Sequence, residues 1–208
     1  MGKKQTQPAK SHVIEEELSH LFSSEWLRET AKETGFIKRE RKIDPVLMFW
    51  TLVLGFGVQL QRTLAQLRRL YEERGEVHLS SGSFYERFSP ELVKFLHKCV
   101  LHGLENIAQG PKRILNEGLQ RFKDLVFQDS TVVRVNEKLA YKWPATRSRK
   151  VAAGVKVGML VSAVADGPRR VALFPERTSE VKTLKLGPWV KDRILLIDLG
   201  FYKHQSFA

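Results

Sequence analysis

The spacing of apolar residues changes once along this chain, and that change restricts the fold more than any other feature. Up to about residue 124 apolar side chains recur every three or four positions, the spacing of one helix face. Beyond it, Val-rich alternation and short apolar runs take over, the spacing of strands. The expected class is therefore α+β or α/β, with an all-helical region over 1–105, a connector over 106–124 and a sheet-forming domain over 125–208. At 208 residues and 42% apolar content there is enough material for one large or two small cores, which excludes a disordered basic tail. Cys99 is the sole cysteine, so an intrachain disulfide and a thiolate zinc site are excluded. The first thirty residues lack the apolar core of a secretory signal. The longest apolar run, Val46 to Val58, is broken by Thr51, Gly55 and Gly57 and falls short of the ~20 residues of a membrane span. A buried core helix in a cytoplasmic protein without a membrane partner is expected.

In the helical part, Ile14, Leu18, Leu21 and Phe22 mark one face, and Trp26, Leu27 and Ala31 follow the capping pair Ser23-Ser24 up to Gly35. Asp44-Pro45 reads as the cap and first residue of the buried helix. Leu60, Leu64, Leu67, Leu70 and Tyr71 form an amphipathic stripe closed by Gly75 in a left-handed position. Ser83-Phe84-Tyr85-Glu86 reads as a capping box of a short helix with Phe84 and Phe88 on one face. Ser89-Pro90 opens another helix, on which Leu92, Phe95, Leu96, Cys99 and Val100 point one way. Two short helices joined by a polar turn and braced by a third suit a helix-turn-helix with Ser81 to Phe88 in the recognition position. Arg62, Arg68, Arg69, Arg74 and Arg87 would then meet phosphates, or else they are the solvated face of amphipathic helices.

In the second part, Leu125 to Val135 reads as a strand on which Leu125, Phe127, Asp129, Thr131 and Val133 share a face. A carboxylate among apolar side chains is costly unless paired or bound to a cation. Val151 to Ala165 reads as a second strand, Asp166-Gly167-Pro168 as a turn and Arg170 to Phe174 as the returning strand. Thr178 or Ser179 caps a short helix through Leu184, and Arg193 to Asp198 is a short apolar strand of the kind buried on both faces. This order is similar to the opening of a ribonuclease-H-like sheet, in which the first and fourth strands are parallel neighbours. Strands ~4.8 Å apart let Asp129 and Asp198 share divalent cations. The residues also allow a plainer assignment, with Asp198 a turn residue before Gly200 and Asp129 a hydrogen-bonded strand residue.

Charge is distributed unevenly. The net charge of the whole chain is +12; 1–42 and 43–124 carry +2 each and 125–208 carries +8. The most biased stretch lies between the two aspartates, where Arg134, Lys138, Lys142, Arg147, Arg149, Lys150 and Lys156 face Glu137 alone, with Tyr141 and Trp143 interleaved. Basic residues with aromatics beside paired acids suit a DNA backbone and a stacked base. The alternative is a solvated loop whose Trp143-Pro144 pair packs on a sheet edge.

Gln128-Asp129-Ser130-Thr131 and Leu196-Ile197-Asp198-Leu199-Gly200-Phe201-Tyr202, together with Ala153-Gly154-Val155-Lys156-Val157 and the Ser-Phe-Tyr-Glu-Arg-Phe segment, resemble the DDE transposases of the insertion-sequence-4 group. The resemblance implies an all-helical N-terminal DNA-binding region followed by an incomplete ribonuclease-H-like mixed sheet. It makes Asp129 and Asp198 the first two catalytic acids, holding Mg²⁺ or Mn²⁺ (two ions in the complete enzyme). One ion would activate a water or a 3′-hydroxyl, and the other would stabilise the leaving oxygen. The implied partner is double-stranded DNA carrying terminal inverted repeats, with a homodimer on DNA and a prokaryotic, nucleoid-associated location; the candidate contacts to it, read from charge and position, are Arg68, Arg69 and Arg87 and the loop residues named above. Two departures stand out. The group usually carries His where this chain has Gly158, and its third acid, a Glu within a Tyr-Arg-Glu-Lys signature, has no counterpart up to Ala208. A truncated copy is the corresponding expectation, and its alternative function is an inactive fragment acting as a transposition inhibitor or a helix-turn-helix regulator.

Overall fold

The computed structural model describes residues 16, 18–39, 43–57, 63–110, 112–146, 152–165 and 167–201. The chain divides into two compact units, Met1–Gly103 and Leu104–Ala208. Ile14, Leu60 and Arg62 lie outside the described residues.

The first unit is helical. Helix α1 (Ser24–Glu33) starts at Ser23, whose Oγ accepts from the Trp26 N–H, and the chain leaves it through Gly35 at φ +74°. Helix α2 (Pro45–Gly57) is capped by Asp44 Oδ1, which accepts from the N–H groups of Val46 (2.7 Å) and Leu47 (3.2 Å). It runs through the core, with Met48, Phe49, Trp50, Leu52 and Leu54 all buried, as its near-continuous apolar sequence requires. Helix α3 (Leu64–Gly75) opens with a capping box in which Thr63 and Gln66 satisfy each other's backbone N–H. Gly75 is its last helical residue, and the left-handed position falls on Glu76 (φ +49°). Gly75 is instead the point of close approach to α2, since a Cβ there would meet Leu47.

Helix α4 (Ser81–Tyr85) is a little over one turn, and its cap is Ser80, not Ser83: Ser80 Oγ accepts from the Ser83 N–H. Phe84 is fully buried against Tyr71, and Phe88, just beyond the helix, stays in ring contact with it. Helix α5 (Pro90–Gln109) buries Leu92, Phe95 and Cys99. Val100 does not share that face; it is exposed. Among the described residues no helix is long and apolar enough to cross a membrane.

The second unit is built on four strands, β1 (Asp124–Arg134), β2 (Gly154–Ser162), β3 (Gly167–Pro175) and β4 (Arg193–Ile197), in the order β3-β2-β1-β4. β2 is antiparallel to β1 and β3, and β4 is parallel to β1. A short helix α6 (Glu180–Thr183) lies between β3 and β4. Gly167 and Pro168, expected in a turn, already belong to β3, while Asp166 lies outside the described residues. β4 is not buried on both faces as its apolar run suggests. It is the edge strand of this sheet, its residues are half-buried and Leu196 is exposed.

One face of the sheet is covered. Asp124, Val126 and Gln128 of β1 and Gly154, Lys156, Gly158 and Ser162 of β2 are buried there. Thr183, Leu184, Lys185 and Trp189 close over Gln128, Gly158 and Phe174 and leave a cavity of only about 10 Å³. Asp124 is satisfied internally, accepting from Ser162 Oγ (2.7 Å) and from the Val164 N–H (3.1 Å). The other face carries Phe127, Val133, Leu173 and Leu196, all exposed.

Candidate functional site

The relative height of β1 and β4 is set where the two strands begin. The Lys123 N–H donates to the Asp192 carbonyl at 2.7 Å, and Lys123 Nζ pairs with Asp192 Oδ2 at 2.7 Å. Asp192 turns the chain into β4 at φ +61°, a left-handed conformation that Asp tolerates better than most residues. From that pin the parallel register runs Asp124 with Arg193 through Gln128 with Ile197. Continued one residue further, the same register would set Asp129 of β1 level with Asp198, the residue that follows β4. The strand order and register thus leave Asp129 and Asp198 each one residue past the C-terminal end of the β1–β4 pairing.

Their environment differs from the expectation in one respect. Leu125, Phe127, Asp129, Thr131 and Val133 do share a face, but it is the uncovered one, and Asp129 is exposed. The desolvation cost invoked from the sequence is absent, because the covering segment around α6 packs on the Gln128 side. Asp198 is exposed as well. Asp129 Oδ1 accepts from the Ser130 N–H (2.7 Å) and Asp198 Oδ1 from the Leu199 N–H (2.6 Å). These local bonds orient the carboxylates and engage one oxygen of each. Two exposed carboxylates of this kind are hard oxygen donors suited to Mg²⁺ or Mn²⁺. Among the described residues no group of three or more His, Cys, Asp and Glu side chains is arranged to hold a metal ion.

Behind the pair, on the covered face, lies a carboxylate that the sequence did not single out. Glu180 Oε1 accepts from Ser130 Oγ at 3.4 Å and stands 4.0 Å from Lys156 Nζ. Its Oε2 rests against Gly200, where a Cβ would overlap it. Lys156 is therefore not available to a phosphate: it is buried, and its ammonium donates to the Thr178 carbonyl at 2.7 Å. Gly158, across from Ser130, also faces the covered side, beneath Phe174. The only sequence signal for this cluster was a lysine in a strand whose neighbours alternate small and apolar.

The remaining basic candidates fall into three groups. Arg134 is ion-paired with the buried Glu176, and Gly154 leaves the room for that pair. Lys138, in a turn capped by Asn136, is exposed, and Lys142 places its ammonium 5.5 Å from the centre of the Trp143 ring. Trp143 is half-buried; its carbonyl accepts from the Gly154 N–H (2.9 Å), and Pro144 bridges to Ala153, so the base of this loop is tied to the sheet edge. Tyr141 beside it is 85% exposed. Arg147, Arg149 and Lys150 lie outside the described residues.

In the helical unit, Arg69 is exposed. Arg68 is a strut whose guanidinium donates to the Leu79 carbonyl (3.2 Å) and to Ser81 Oγ (2.9 Å), fixing α3 to the turn before α4. Arg87 is half-buried and lines a cleft with Phe36, Lys38 and Glu91.

Among curated proteins, the chain is similar to the transposase for insertion sequence element IS231F of Bacillus thuringiensis subsp. israelensis, at 27% identity over 146 residues. The matched region spans 68% of this chain and 30% of that protein, so the chain covers less than a third of its relative. No family model matches, and no solved structure matches.

Proposed function

We propose that this chain acts in DNA transposition, as the part of a DDE-type transposase that contributes its first two catalytic carboxylates on a ribonuclease-H-like sheet. The observation that supports the reading is the β1–β4 register, which runs from the Lys123–Asp192 pin to Gln128 beside Ile197, each one residue ahead of an aspartate. The similarity to an insertion-sequence transposase supports the same reading. Asp129 and Asp198 would hold Mg²⁺ or Mn²⁺, whose chemistry is Lewis-acid assistance to attack on a phosphodiester. The chain's own work would be to hold two anionic oxygens at fixed height, to meet phosphates with Lys138 and Lys142, and to offer the exposed Tyr141 and half-buried Trp143 to a base.

The test is titration of the full chain with Mn²⁺. Asp129→Ala and Asp198→Ala are each expected to weaken binding at least tenfold, the usual cost of disturbing a metal ligand or its support. Equal affinity in all three proteins overturns the reading.

A second reading is favoured by one observation, the lack of a third ligand among the described residues. On that reading the chain occupies DNA ends without cutting them and acts as an inhibitor of transposition. Competition with an active transposase on its own terminal-repeat duplex separates the two.

A further inference from the structure

We propose that Glu180 is a positioning residue for the Asp129–Asp198 pair, acting through the sheet on the residues that follow each aspartate. The inference rests on the reading of that pair as ligands of a divalent cation. Two carboxylates side by side repel one another, and nothing on their own exposed face ties Asp129 to Asp198 among the described residues. Their separation must be held by the backbone that carries them.

Glu180 reaches the segment after each aspartate, through the Ser130 hydroxyl on one side and the Gly200 main chain on the other. Its Oε1 accepts from Ser130 Oγ (3.4 Å), one residue beyond Asp129. Its Oε2 lies against Gly200, two residues beyond Asp198. The turn containing Gly200 is anchored by Phe201, which is 1% exposed and whose N–H donates to the Asp198 carbonyl at 3.0 Å. Glu180 is itself held: it opens α6, and Lys156 Nζ sits 4.0 Å from its Oε1 while donating to the carbonyl of Thr178, just ahead of the helix. A single side chain thus links the middle of β1 to the turn after β4 from the covered face. The missing Cβ of Gly200 is what lets the carboxylate come close enough to do so.

The experiment is Mn²⁺ titration of the full chain and four variants, read by the electron-spin signal of free Mn²⁺, with thermal unfolding measured on each. Glu180→Ala is expected to weaken Mn²⁺ about tenfold, in the range seen when the support of a metal ligand is removed. Glu180→Gln keeps the shape and an acceptor for Ser130, so it should stay within about twofold of the unsubstituted protein, a rescue that a role in folding alone would not produce. Gly200→Ala, which intrudes on the same contact from the other side, should weaken Mn²⁺ as Glu180→Ala does; it decides the matter if Glu180→Ala does not fold. Asp129→Ala is the reference for loss of the ion. Mn²⁺ affinity unchanged in Glu180→Ala and Gly200→Ala but lost in Asp129→Ala overturns the positioning role and leaves the site reading standing. Glu180→Gln as weak as Glu180→Ala overturns it too. If the unsubstituted chain takes up no Mn²⁺, or Asp129→Ala binds equally well, the site reading fails and this inference fails with it.

Discussion

Asp44 joins three helices of the first unit at one point. Its carboxylate caps α2 and pairs with Arg28 of α1 at 2.6 Å, and its N–H donates to the Tyr71 hydroxyl of α3 at 2.8 Å. Burial pushes the Tyr71 hydroxyl above its ordinary value of 10.0; the Asp44 N–H opposes that shift and the Asp44 charge adds to it. Burial likewise pushes the Cys99 thiol from 9.0 up to about 12. Both folded values exceed the unfolded ones, so the stabilisation is complete below pH 9 and is lost as pH rises from 9 toward 12. Urea unfolding should therefore show a steepening loss of stability above pH 9, and Cys99→Ala should reduce the slope while lowering stability at neutral pH. A slope unchanged in that variant would count against the thiol. At this scale the caps at Ser23 and Asp44 were legible because a capping residue stands directly before the apolar run, within the pair Ser23-Ser24 in the first case and alone before Pro45 in the second. Ser80 was not, since Ser80, Ser81 and Ser83 all compete as caps and only the packing of Phe84 chooses among them.

Strand existence was legible from alternation, and the parallel pairing of β1 with β4 from the order of elements. What alternation cannot tell is which face is covered, because the cover is supplied by a segment, Thr183 to Trp189, far along the chain from β1. That is why Asp129 was expected among apolar neighbours in a dry setting and stands in the open, and why Lys156 was expected at a phosphate and lies beneath α6. The register itself depends on the Lys123–Asp192 pin. Asp192→Val removes the ion pair and puts a β-branched residue at φ +61°, which should cost roughly 1–3 kcal/mol. Because the pin lies six residues upstream of both aspartates, the same change should weaken Mn²⁺ uptake, whereas Asp192→Gly, free of backbone strain, should lose less of each. Denaturant unfolding with a parallel Mn²⁺ titration checks both, and Mn²⁺ affinity unmoved by Asp192→Val would show that the register is held elsewhere.

Over the whole molecule the +8 of the last third predicts DNA binding that weakens steeply with salt, through release of counterions from the phosphates. Neutralising Arg147, Arg149 and Lys150 together should flatten the plot of log affinity against log salt by about two to three, near 0.9 for each phosphate that is no longer neutralised. Lys156→Met should leave that slope alone and lower stability instead, since it strands Glu180 and the Thr178 carbonyl. Cutting is a separate matter from binding. Mg²⁺ requires near-octahedral oxygen coordination, and the two-ion chemistry of phosphodiester cleavage needs oxygens enough for both ions. Asp129 and Asp198 each spend one oxygen on the following N–H, and no third ligand joins them among the described residues. Among the described residues the oxygens of these two carboxylates would serve one ion and not a second. The 208-residue chain should accordingly bind a terminal-repeat duplex in Mn²⁺ and leave it uncut. Incubation with end-labelled duplex, resolved on a denaturing gel, decides the point: specific cleavage that disappears in Asp129→Ala would mean that the two carboxylates suffice.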